Sequence, residues 1–144
     1  MNLKIQCHFP GMTVPARAHP TDAGLDLTAM AVEWVRSGML KVDTGVSVEP
    51  PPGYYCEVVP RSSIYKTDFM QANGVGIIDP EYRGHILVML RYLGGGDGRP
   101  QADALVGTRV AQLLLRRLEI AEVEVSGALG TTARGSGGFG STGR

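Results

Sequence analysis

At 144 residues the chain suits one domain that buries roughly 70% of its unfolded surface. Its 14 Lys and Arg balance 14 Asp and Glu, which excludes the one-signed field that draws duplex DNA or an acidic membrane; an anionic ligand must be attracted by local geometry. Cys7 and Cys56 form no C-x-x-C pair, no signal peptide precedes them, and the apolar runs around Ile86–Leu90 and Val110–Leu115 fall far short of a membrane span. A soluble, cytoplasmic chain with reduced thiols is therefore expected.

Leu3, Ile5 and Cys7 alternate with polar residues and read as a half-buried strand. Pro10, Gly11, Pro15 and Pro20 then break regularity, and Leu25–Leu27 and Ala31–Val35 are short strand candidates. Leu40, Val42, Val46 and Val48 resume the alternation, with Gly45 expected to form a bulge. The turn Glu49-Pro50-Pro51-Pro52-Gly53 leads into the strand candidate Tyr54–Val59. Val75–Ile78 and Ile86–Leu93 follow as strands, joined by a turn over 79–84. Gly94–Asp103 reads as a long surface loop, and Val110–Glu119 fits a strand or a helix, because periodicity cannot settle a short apolar run. Val123–Val125 is expected to close the regular part. Short strands punctuated by Gly and Pro favour an all-β barrel or sandwich over residues 1–126.

Residues 127–144 differ in kind. Arg134-Gly135-Ser136-Gly137-Gly138-Phe139-Gly140-Ser141-Thr142-Gly143 cannot bury enough apolar surface to fold alone. Glycine lets successive backbone N–H groups turn inward on an anion, Arg134 adds a forked cation, and Phe139 is one flat ring suited to stacking on a base. The spacing from Gly135 mimics a P-loop, but Ser141 stands where the lysine belongs. The composition fits a disordered tail or an arm closing over a polyphosphate that bears a base; the arm accounts for more of the residues.

Asp79 ends an apolar strand, where a carboxylate can project into a cleft as general base or simply serve the turn before Pro80. Arg61-Ser62-Ser63 at another strand end suits phosphate oxygens, with Lys66 nearby. Asp26 lies among apolar neighbours and needs a partner, an arginine or a hydrated divalent cation; Arg109 is the leading ionic candidate. On a strand Arg109 and Gln112 would face opposite ways, so at most one would meet a ligand. His8, His19 and His85 lack zinc-ligand spacing, and Cys56 reads as packing rather than nucleophile.

Taken in order, Asp22-Ala23-Gly24-Leu25-Asp26-Leu27-Thr28-Ala29, Pro60–Ser63, Asn73–Gly84, Gly107–Gln112 and Arg134–Gly143 resemble the five motifs of the trimeric dUTPases. The third and fifth are the most specific. The resemblance implies a distorted jelly-roll-like β-barrel, a homotrimer with exchanged C-terminal arms, and Mg²⁺-dependent hydrolysis of dUTP to dUMP and pyrophosphate. It implies that Asp79 deprotonates the attacking water, that Asn73 and the backbone through Gly76 and Ile78 hold uracil, and that Tyr82 packs beneath the deoxyribose. Arg61, Ser62, Ser63 and Gln112 would contact phosphates, and Asp26 would reach the metal through water. In the arm, Arg134, Ser136, Gly138, Ser141 and Thr142 would contact phosphates and Phe139 would cover the base. Departures occur at Thr108, where an acidic residue is frequent, at Ile64–Phe69 and at the long 94–103 loop. A nucleotide-sensing binding protein and a dCTP deaminase relative are the competing readings; no carboxylate could be placed for attack on the pyrimidine ring.

Overall fold

The computed structural model describes residues 1–138. Ten strands run in chain order as β1 (Lys4–Cys7), β2 (Leu25–Thr28), β3 (Ala31–Arg36), β4 (Met39–Asp43), β5 (Val46–Glu49), β6 (Tyr54–Pro60), β7 (Phe69–Gln71), β8 (Gly76–Ile78), β9 (Leu87–Tyr92) and β10 (Arg109–Arg117). They form a β2-β10-β6-β8 sheet, a β3-β4-β9-β7 sheet and a β1-β5 ribbon, all antiparallel. The inward residues of both large sheets, including Leu27, Leu40, Val58, Val88, Leu90 and Leu113, meet in one core. Trp34, Phe69 and Tyr92 close one side, with ring centroids 5.2–6.3 Å apart. The result is the expected jelly-roll-like all-β architecture.

One open reading is settled and three local expectations are corrected. The Val110–Glu119 stretch is strand as far as Arg117: β10 lies between β2 and β6, where its apolar side chains meet the core and its backbone is paired on both edges. Gly45 is no bulge. At φ +65° it carries the chain from β4 in one sheet to β5 in the ribbon, and a Cβ there would stand 2.4 Å from the Phe9 ring. The 94–103 segment is only partly a solvent loop: Arg99–Asp103 forms a short helix, α1, that buries Ala102. Val123–Val125 forms no strand, because β10 already has a neighbour on either side and the chain beyond Arg117 meets no free edge.

Candidate active site

The Arg61 end of the molecule is built around Asp26. β2 pairs Asp26 opposite Gln112 of β10, and a register shift between Arg109 and Ala111 adds one residue to β10. That bulge changes the face of Arg109, so Val110 and Ala111 are both buried while Arg109 and Gln112 share the outer face. The opposite-face expectation fails for this reason. Asp26 Oδ1 lies 2.7 Å from Arg61 Nε, and Oδ2 accepts a hydrogen bond from Arg109 at 3.0 Å. Gln112 donates to the Pro60 carbonyl at 3.4 Å, and its side chain lies so close over Gly24 that a Cβ there would meet Gln112 Oε1 at 2.4 Å and Cβ at 2.9 Å.

Arg61 precedes a 3₁₀ turn, Ser62–Lys66. Arg61, Ser63, Lys66 and Arg109, together with Gln101 of α1 and Thr108, line a 630 Å³ cleft. Two guanidinium groups share one carboxylate, so this end keeps a net positive charge with its forks held in place.

A second cleft, of 720 Å³, opens at the far end of β8 between Asp79, Tyr82, Gly53, Leu118 and Ile120. Asp79 is exposed, and among the described residues its carboxylate has no hydrogen-bond or ion-pair partner. The Tyr82 ring lies over Gly84, where a Cβ would meet its hydroxyl at 2.4 Å, and that hydroxyl donates to the His85 carbonyl at 2.9 Å. The turn is fixed from behind. Ser47 Oγ donates to Gly84 O, Ile86 N to Val46 O and Thr44 Oγ1 to Ile86 O, while Asp43 receives His85 Nδ1 at 2.9 Å. Because the Ser47 proton is committed to Gly84, His8 Nε2 at 2.9 Å must be the donor to Ser47 Oγ. These supports from β4, β5 and the N-terminal segment carried no motif and were missed in the sequence.

Asn73 lies in the turn between β7 and β8, with Gly74 beside it at φ +62°, and Gly76 and Ile78 lie on β8. β7 and its inward Gln71 were also missed; the alternation Phe69-Met70-Gln71 is three residues long and ends on a polar side chain. Cys56 is fully buried, which pushes its thiol up to about 11 and makes it packing, as expected. Beyond Leu118, whose N–H bonds Gly53 O, the described chain lies exposed. Arg134 Nε donates to Gly137 O at 2.8 Å, Ser136 is exposed and Gly138 half-buried. Phe139, Ser141 and Thr142 lie outside the described residues.

One protomer does not unite these groups. Ile78 pairs with Cys56 and β6 then runs away from Asp79, so Arg61 lies about five residues further along. At ~3.3 Å per residue that separates Asp79 from the Arg61 cluster by roughly 15–20 Å.

The chain as a whole matches a known family. The dUTPase family model matches residues 11–143. The deoxyuridine 5'-triphosphate nucleotidohydrolase of Solibacter usitatus is 38% identical over 100% of this chain and 97% of its own. That of Mycobacterium tuberculosis is 43% identical over 93% and 90%. The dUTPase of Staphylococcus bacteriophage 80alpha, solved with dUPNHPP, shares the fold at a TM-score of 0.82 and 22% identity, with 99% of both chains covered. A mutant dUTPase of phage phi11, solved to describe coordination of a structural Mg(II) ion, aligns at 0.74 and 20%, over 91% of this chain and 100% of that one. With a family match over nearly its whole length, the chain belongs to the dUTPase family.

Proposed function

We propose that this chain hydrolyses dUTP to dUMP and pyrophosphate. The observation that carries the reading is the contrast between its two carboxylates. Asp26 has both oxygens occupied by arginines, whereas Asp79 stands free beside a cleft at a strand end. A free carboxylate can take the proton of a water attacking the α-phosphorus as pyrophosphate departs. Arg61, Ser62, Ser63 and Gln112 bind phosphate oxygens, the Asn73–Ile78 segment reads uracil, and Tyr82 packs under the deoxyribose where a 2′-hydroxyl would collide. Arg134, Ser136, Gly138, Ser141 and Thr142 bring further phosphate donors, and Phe139 covers the base.

The separation of Asp79 from the Arg61 cluster supports a site shared between copies. A carboxylate serving the α-phosphorus and donors to the phosphates beside it must lie closer together than that gap, so the phosphate groups of one protomer serve the Asp79 of another, and a homotrimer completes each site. Val123 and Val125, 92% and 95% exposed, support arm exchange, since such apolar side chains gain stability by covering a neighbour.

Among the described residues no group of three or more His, Cys, Asp or Glu could hold a metal ion. A single carboxylate with both oxygens paired fits Mg²⁺ that keeps water and phosphate oxygens as its ligands, with Asp26 reaching it through water. When bound, such an ion neutralises the triphosphate charge. Cys7 and Cys56 are free thiols, which accords with a reducing cytoplasm. The test is a deoxynucleoside triphosphate panel with Mg²⁺ assayed for pyrophosphate: dUTP alone should release it quickly, and an inert dUTP sinks the reading.

A further inference from the structure

Gln71 occupies an inward position of β7 where an apolar residue would be ordinary, and it is only 5% exposed. Its Nε2 lies 3.0 Å from Val58 O, 3.2 Å from Gly74 O and 3.3 Å from Asn73 Oδ1. Its Oε1 is buried with no partner among the described residues. Val58 O and Gly74 O are backbone carbonyls that can only accept, so the Gln71 atom facing them must be the NH₂. The two Gln71 protons are shared among these three acceptors, Asn73 Oδ1 being the farthest, and the Asn73 atom that faces the donor is its oxygen.

Asn73 Nδ2 is thereby turned the other way. It lies over the bare Cα of Gly76, where a Cβ would stand 3.4 Å from it, and among the described residues it has no acceptor. The turn between β7 and β8 thus offers a donor, and Gln71 decides that it is a donor. Left alone, the Asn73 amide could turn over and offer its oxygen instead. An apolar residue at position 71 would avoid the orphaned Oε1, so the glutamine carries a standing cost for this orientation.

We infer that Gln71 is a specificity-determining positioning residue, one that locks the Asn73 amide so that the pocket meets a pyrimidine carbonyl and refuses an amino group. This rests on the proposed dUTP hydrolysis and deepens it, because uracil and cytosine differ at C4 by a carbonyl against an amino group. A buried donor left facing an amino group loses its hydrogen bond, the kind of mismatch that discriminates strongly.

The test compares kcat/KM for dUTP and dCTP, and Kd for dUMP and dCMP, in wild type, Gln71→Met, Asn73→Asp and the double variant. Methionine matches the volume and removes the donor. Gln71→Met should lower the dUTP-to-dCTP ratio roughly tenfold, the value of about one hydrogen bond. Asn73→Asp presents only oxygen and should lower it at least as far, and the double variant should add nothing further. A Gln71→Met protein that loses thermal stability and slows on both triphosphates alike, with the ratio kept, makes Gln71 a structural staple and overturns the inference. If that variant fails to fold, Asn73→Asp decides alone: an unchanged ratio overturns the inference. Should wild type release no pyrophosphate from dUTP, the enzymatic reading falls, and the dUMP-to-dCMP affinity ratio still judges Gln71.

Discussion

Arg61 Nε sits 2.7 Å from one oxygen of Asp26, and the other oxygen of that carboxylate receives Arg109. Asp26 is 15% exposed and Arg61 24%, so the pair is screened less than a surface bridge; Arg109, at 53%, is held more loosely. The carboxylate sets the direction of the fork that meets phosphate. Asp26→Asn should cost about 1–2 kcal/mol, between the values for exposed and buried pairs, and should raise KM for dUTP. A urea titration and a substrate curve check both. Unchanged values would mean that Arg61 is oriented by something else.

Gly24 is required by close approach rather than by backbone conformation. Its missing side chain leaves room for Gln112, whose own Cβ would be 2.9 Å from an added methyl. Neither strand can shift freely, because Gln112 pairs with Asp26 on one side and Val59 on the other. Gly24→Ala should therefore destabilise by about 1–3 kcal/mol and weaken dUTP binding through displaced Gln112. Thermal unfolding alongside KM for dUTP would show it, and a fully active, equally stable variant would refute it.

The contrast between Gly24 and Gln71 shows what the chain announces and what it hides. Local chemistry is written in contiguous residues, so the Arg61-Ser62-Ser63 turn, the strand ending at Asp79 and the need of Asp26 for a partner could all be read from one stretch at a time. The β10 bulge could not, because a single extra residue in a run of Val, Ala and Leu leaves no mark until β2 fixes the register. Gln71 was silent because its partners, Val58 O and Gly74 O, are backbone atoms brought in by a neighbouring strand and a turn. Val123 and Val125 carried a strand pattern, but within one chain that segment pairs with none of the strands.

Removal of residues 127–144 should leave a folded trimer that turns over little dUTP. The core residues all precede Gly127, and the described part of the arm contributes local turns rather than packing. Sedimentation and a pyrophosphate assay separate the two properties. Dissociation to monomers would show that the arm holds the assembly together.

Glu57 gives the fold an acid-side dependence. The hydrogen bond from Arg116, reinforced by the one from Tyr55, holds its carboxyl below the usual carboxylate range. A carboxylate with a depressed folded-state pKa contributes stability that is present above its unfolded value, about 4.3, and is lost as pH falls through the folded value. Glu57→Gln should therefore flatten the stability curve below about pH 4.3 and leave its shape near neutrality unchanged. Parallel acid slopes in the two proteins would contradict this.

Asp79→Asn isolates the proton acceptor. Asparagine keeps the shape at the end of β8 and leaves Tyr82 and its bond to the His85 carbonyl in place, so the base and sugar contacts should survive. Because Asp79 has no partner among the described residues, the substitution breaks no ion pair, and stability should move by less than about 0.5 kcal/mol. What disappears is the capacity to take a proton from water, which is worth roughly 10²–10⁴-fold in rate. The variant should bind dUTP with near-normal affinity while kcat falls by that factor. Calorimetric titration with single-turnover kinetics measures the two quantities separately. If kcat stays within a few-fold of wild type, the water is activated by another group; if binding is lost with it, Asp79 is a contact to substrate rather than its base.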